Sequence, residues 1–190
     1  PDGVRHSYHG VNRNGNFGTL LYVHGNPEGA YQDFKGCMTI ADLTEQFVQA
    51  KISFDDALQI VQERKIVYAP DATMQAMLSD QQGRALIVEP GIGWREGDGR
   101  YSLITNYSIL APESTMPFLV PGDDRYERTA QLLSTYGKQF TVTDAFSVLQ
   151  AVRQEGIWAT RVSFVYSAKE HAVYYVENNH FSLIERYEFS

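Results

Sequence analysis

Residues 73–89 read Thr-Met-Gln-Ala-Met-Leu-Ser-Asp-Gln-Gln-Gly-Arg-Ala-Leu-Ile-Val-Glu. Two apolar-rich runs, Thr73 to Leu78 and Arg84 to Glu89, flank Ser79-Asp80-Gln81-Gln82-Gly83. A short link with a glycine near its end reads as a β-hairpin. Outward from it, the chain groups helical stripes between strand runs. Upstream, Phe17 to His24 is a β-rich run behind the Asn12-Arg13-Asn14-Gly15 turn, where Asn-Gly tolerates positive φ. Leu43, Phe47 and Val48 form one stripe of a helix over Ile40 to Ala50. Ser53-Phe54-Asp55-Asp56 announces a second helix, with Ser53 as cap and the carboxylates at its positive end.

Downstream, Gly91 to Gly99 reads as a glycine-rich surface loop, because no P-loop lysine follows. Tyr101 to Ile109 reads as a strand. Two helices are expected next, from Asp123-Asp124 to about Tyr136 and after Thr141. Three β-runs close the chain: Thr160 to Tyr166, Ala172 to Val176 and Phe181 to Phe189. Helices grouped between hairpin strands predict an α+β domain with largely antiparallel sheets, one domain over residues 1–190.

Composition narrows function. The net charge of −7 disfavours nucleic acid, which needs a basic surface, and an anionic membrane surface. No apolar stretch approaches the ~20 residues of a membrane helix. The single cysteine, Cys37, forms no internal disulfide and no thiolate metal site alone. It reads as a small packed residue. No signal peptide opens the chain, so a cytoplasmic protein is expected, with a secreted or periplasmic one left open. The absence of an initial Met suggests processing or truncation. His6 and His9 fall on opposite faces of an extended segment, which disfavours a shared metal. His171 and His180 lie in expected turns.

Polar residues in unusual places remain. Asn106 lies in an expected strand, where Asn is disfavoured, so its amide is either bonded in the core or aimed at a site. Arg125 begins a helix, where a cation opposes the dipole, and Asp123 and Asp124 could pair with it. Arg161 in the strand from Thr160 is a third case, read as a residue of the solvated face.

The order of these pieces resembles the choloylglycine hydrolase-like family of N-terminal-nucleophile (Ntn) amide hydrolases, which includes bile-salt hydrolases and penicillin V acylases. Gly10-Val11-Asn12-Arg13-Asn14-Gly15 is similar to the family's Gly-x-Asn-Glu-x-Gly turn. Met77 to Glu89 is similar to its hairpin, Ile104-Thr105-Asn106 to its Leu-Thr-Asn strand, and Asp124 to Arg128 to its Ser-Arg-aromatic-x-Arg helix start. Thr160 to Tyr166 with Val173 to Val176 is similar to its closing hairpin. The likeness runs through nearly the whole chain.

The resemblance implies a four-layer αββα sandwich. It implies hydrolysis of a linear N-acyl amide, with an N-terminal cysteine whose thiol attacks the carbonyl and whose α-amine is the base. It puts Asn106 in the role of oxyanion donor and Arg125 beside the nucleophile. It implies no metal or cofactor, a small-molecule N-acyl amide as substrate, and room for a homo-oligomer. Two departures stand out. Only nine residues precede Gly10, and Cys37 cannot supply a free α-amine, so the nucleophile is expected to be missing from this chain. The position that corresponds to the bile-salt hydrolases' second oxyanion Asn is Tyr22, with Asn26 close by, which makes both expected substrate contacts. The competing expectations are a non-catalytic Ntn-fold ligand-binding module, and an unrelated α+β domain that works through oligomeric contacts.

Overall fold

The hairpin anchors a five-stranded antiparallel sheet. The computed structural model describes residues 9–97, 99–137 and 139–189. The chain forms two compact units, Pro1–Asp123 and Asp124–Ser190.

In the first unit, β1 (His9–Val11) and β2 (Phe17–Tyr22) lead to β3 (Cys37–Thr39), α1 (Ile40–Val48), α2 (Phe54–Glu63) and β4 (Lys65–Val67). Then come β5 (Met74–Ser79), β6 (Ala85–Glu89) and β7 (Gly93–Glu96). The main sheet has the order β1-β2-β5-β6-β7. Leu20 faces Ala76 across β2 and β5, and Leu78 faces Leu86 across β5 and β6. Because side chains alternate along a strand, one face carries Leu20, Ala76, Leu78, Leu86 and Val88. These close on Ile40, Leu43 and Phe47 of α1 and Phe54 and Ala57 of α2 to form the core.

Local chemistry fixes the helix ends. Thr39 caps α1 through Asp42 N–H, and Ser53 with Asp56 forms a reciprocal capping box on α2. The Asn-rich turn satisfies the far end of α1: Asn12 Nδ2 donates to Val48 O at 2.7 Å and Asn16 Nδ2 to Phe47 O at 2.9 Å. At the hairpin tip, Asp80 Oδ1 accepts from Gln82 and Arg84 N–H, and Gly83 takes φ +81°. Arg84 pairs with Asp80 and with Asp55 of α2, tying the tip to the helix.

Three features of this unit depart from the sequence reading. Gly91 to Gly99 is not all loop: β7 pairs with β6, as Val88 faces Trp94. Its glycines hide a four-residue strand. Tyr101 to Ile109 forms no ladder strand. Side chains of the sheet, not a neighbouring strand, hold its backbone, as described below. β3 and β4 form a separate parallel pair joined through α1 and α2, too short to show in the sequence pattern.

In the second unit, α3 (Arg125–Thr135) and α4 (Val142–Ala151) precede β8 (Val162–Ser167), β9 (Ala172–Glu177) and β10 (Glu185–Glu188). The sheet order is β10-β9-β8, antiparallel throughout. Thr141 and Asp144 repeat the capping box at α4. The last strand is shorter than expected, because residues 181–184 are turn and coil rather than strand. The turns fall at His171, Asn178 and Asn179, all with positive φ.

Candidate functional site

The second face of the five-stranded sheet organises the candidate site. Opposite the core, β5 and β6 present Gln75 and Glu89, exposed at 0% and 3%. Both bind the segment that follows β7. Gln75 Nε2 donates to Thr105 O at 2.6 Å and to Tyr107 O at 3.0 Å. The Glu89 carboxylate accepts from Ile109 N at 2.9 Å, Leu110 N at 3.2 Å and the Ser108 hydroxyl. Ser108 N–H donates to Thr115 Oγ1, and Ala111 N–H to Ser108 Oγ, each at 2.8 Å. Phe118 then stacks on His24, with ring centroids 3.4 Å apart. The segment thus lies across the sheet on polar side chains.

Asn106 occurs at a bend in this segment and is half-buried. Its Nδ2 donates to Tyr22 O at 2.9 Å, at the end of β2. The structure therefore brings two of the expected residues into direct contact. The contact uses the Tyr22 carbonyl, while the Tyr22 ring is 57% exposed.

Beyond β2 the chain turns into a groove. Val23 and Thr73 prolong the β2–β5 pairing by a bond of 3.1 Å from Val23 N to Thr73 O. Asn26 caps the short 3-10 turn Pro27–Gly29 through Glu28 N–H, at 2.9 Å. Asn26 N–H donates to Tyr68 Oη at 2.9 Å. Tyr22, Asn26, Tyr31, Tyr68, Pro70 and Thr73 line an open cleft of about 600 Å³. Burial raises the Tyr68 phenol above its usual range; the Asn26 bond opposes this and the Glu89 carboxylate adds to it. The floor of the turn is backbone on backbone. A Cβ on Gly29 would stand 2.5 Å from Pro90 O, and one on Gly91, at φ +77°, would stand 2.2 Å from Gly29 N.

Arg125 belongs to the second unit. It starts α3, and its Nη1 donates to Gln154 Oε1 at 3.1 Å. Gln154 is itself fixed: its N–H donates to Thr160 Oγ1 at 2.9 Å, and its carbonyl accepts from Asn179 Nδ2 at 3.0 Å. Asp124 lies 3.8 Å from Arg128. Arg161 is exposed just before β8.

Cys37 is buried in β3, and its carbonyl accepts from the Arg64 guanidinium. His6 lies outside the described residues, and His9 contacts Thr19. Among the described residues no three His, Cys, Asp or Glu side chains gather to hold a metal. No helix among them is long and apolar enough to cross a membrane.

Sequence reasoning missed Gln75 and did not single out Glu89 for a role. The signal was present for Gln75, an amide inside an apolar run, which is the same oddity that singled out Asn106.

No protein-family model matches the chain, and no curated protein sequence matches it. Solved structures do. A mutant of a conjugated bile acid hydrolase from Clostridium perfringens aligns with a TM-score of 0.74 at 14% identity, covering 100% of this chain and 74% of that one. A penicillin V acylase from Agrobacterium tumefaciens gives 0.69 at 20% identity, over 90% of this chain and 63% of that one. Another variant of the Clostridium hydrolase gives 0.66 at 14% identity, over 100% and 79%. At these identities the likeness establishes the fold: an α+β arrangement of antiparallel sheets and helices, shared with these hydrolases. The chain spans 63 to 79% of their lengths.

Proposed function

We propose that the protein containing this chain hydrolyses the C–N bond of a linear N-acyl amide, as a member of the choloylglycine hydrolase-like Ntn group. The observation that carries the reading is the Asn106–Tyr22 contact, 2.9 Å long, at the head of a groove that Tyr22 and Asn26 both line. The fold shared with a bile acid hydrolase and a penicillin V acylase supports it.

In this reading an N-terminal cysteine outside the 190 residues is the nucleophile. Its thiolate attacks the amide carbonyl, and its α-amine takes the thiol proton and delivers it to the leaving nitrogen. The carbonyl oxygen gains negative charge, and a donor already aimed there stabilises it without reorganisation. Asn106 takes that role, its amide oriented by the Tyr22 carbonyl. The resemblance assigns Arg125, bonded to Gln154 in the second unit, to the surroundings of the nucleophile. Tyr22 and Asn26 contact the acyl part. Water then attacks the thioester, releasing the acid and restoring the thiol. Cys37 has no part in this, being buried and internal to the chain.

The test uses the full gene product and a panel of N-acyl amides with aliphatic, aromatic and steroidal acyl groups, read as amine release. Turnover is expected, and Asn106→Ala should lower kcat by about 10²–10³-fold. Unchanged kcat in Asn106→Ala would remove Asn106 from the mechanism. Saturable binding without turnover, by a protein with Cys at its mature N-terminus, would favour the ligand-binding module instead.

A further inference from the structure

We infer that Gln75 is a positioning residue that sets the Asn106 amide by clamping the two carbonyls on either side of it. The inference rests on the role proposed for Asn106, but its geometry stands on its own. One side-chain nitrogen bonds Thr105 O at 2.6 Å and Tyr107 O at 3.0 Å. Both amide hydrogens are thereby used, and the bend between their acceptors is the backbone of Asn106 and Tyr107. With the peptide before Asn106 and the one after Tyr107 held, Gln75 restricts the two-residue bend from which the Asn106 side chain departs, and the Tyr22 carbonyl holds the amide end.

Two further observations favour this over ordinary core packing. Two carbonyl acceptors require the nitrogen end of Gln75 at this point, so its rotamer is not arbitrary. That orientation leaves Gln75 Oε1 buried with no hydrogen-bond partner among the described residues, and Thr105 Oγ1 likewise. A methionine of similar length would fill the space without an orphaned acceptor. An arrangement that leaves polar atoms unsatisfied next to a precisely held bend is expected where geometry, not stability, is at stake. The clamp is also rigidly mounted. Gln75 is fully buried in the central strand β5, opposite Leu21 and one residue from the Met74–Tyr22 pair.

The experiment compares the wild type, Gln75→Met, which removes both donors, and Gln75→His, which keeps one. The Asn106 side-chain amide resonances, assigned by their loss in Asn106→Asp, are followed with the ladder amides of Met77 and Val88. In Gln75→Met the Asn106 resonances should shift and their exchange quicken by about tenfold or more, while the ladder amides keep their protection. Gln75→His should fall between. Unmoved Asn106 resonances, or movement only in step with the ladder amides, would overturn the inference. If Gln75→Met does not fold, Gln75→His is read against the wild type by the same criteria.

A second arm uses turnover of an N-acyl amide. Gln75→Met should lower kcat by about 10- to 100-fold with KM nearly unchanged. The same substitution in the Asn106→Ala background should add little, because one residue acts through the other. Full additivity would overturn the inference and leave the hydrolase reading intact. Absence of turnover in the wild type would sink the hydrolase reading, and the resonances would then decide Gln75 alone.

Discussion

Glu89→Ala should loosen the segment from Ser108 to Thr115 without unfolding the sheet. Three donors converge on this carboxylate: Ile109 N–H, Leu110 N–H and the Ser108 hydroxyl. Bonds to a charged acceptor contribute about 1.5–3 kcal/mol each. The first two donors are half-buried, and water can replace part of their loss. Ser108 is 0% exposed and has no such recourse. Removing a buried charge also returns some desolvation cost. The balance is about 3–4 kcal/mol against the segment, or roughly 150- to 900-fold faster amide exchange at Ile109 and Leu110. Glu89→Gln should stay within about 1 kcal/mol of the wild type. Its oxygen still accepts from both backbone amides, and its nitrogen can donate to a rotated Ser108 hydroxyl. Amide exchange read residue by residue is the assay, with urea unfolding beside it. If the Ile109 and Leu110 amides keep their protection in Glu89→Ala, or if Glu89→Gln loosens them as much, the carboxylate does not hold the segment.

The remaining expectations are simpler. Leu43→Ala, at a 0% exposed core position, should cost about 3–4 kcal/mol in urea unfolding, and a loss under 1 kcal/mol would contradict the packing described. Gly91→Ala combines a left-handed φ with a Cβ 2.2 Å from Gly29 N, so a loss above about 2 kcal/mol is expected, visible as a lower Tm. Asp56 and Asp144 are held below the usual carboxylate range by their bonds to Ser53 and Thr141. A depressed carboxyl contributes stability that is present above its unfolded value and lost as pH falls through the folded one. Thermal melts from about pH 6 down to about pH 2 should therefore flatten in the Asp56→Asn, Asp144→Asn double variant, which removes the titrating carboxylates. An unchanged slope would refute the capping boxes as its source.

What was legible in the sequence was the part written in local chemistry. The 73–89 hairpin, the Ser53 cap and the four helices follow from turn residues, caps and apolar stripes, and each sits within a few residues of its expected place. Asn106 was found for an imperfect reason. It stands out because its neighbours read as a strand, yet the segment pairs with no strand among the described residues. Thr105, Tyr107 and Ile109 are β-formers by type, but their backbone groups go to Gln75 and Glu89, about 20 to 30 residues away in sequence and invisible to any local pattern. The β3–β4 pair was hidden for a related reason. Three-residue strands carry too little periodicity, and a parallel partner lies beyond two helices. Gln75 was as visible as Asn106, but an isolated amide in a strand has no sequence mark that tells a clamp from a packing accident.

The contact between Gly29 and the Pro90–Gly91 turn has a consequence for anyone wishing to redesign the groove. Where two backbones touch without side chains between them, there is nothing to shorten, lengthen or recharge. That support behind Pro27 and Ala30, which line the groove, is closed to tailoring by substitution, and insertions there would pry the turn from β6. Diversity in what the groove accepts must come from the exposed rings of Tyr22 and Tyr31 and from the Pro70–Asp71 rim. A library confined to those positions should vary ligand choice while leaving the Asn26 turn in place, and one that includes Gly29 or Gly91 should lose mostly folded protein.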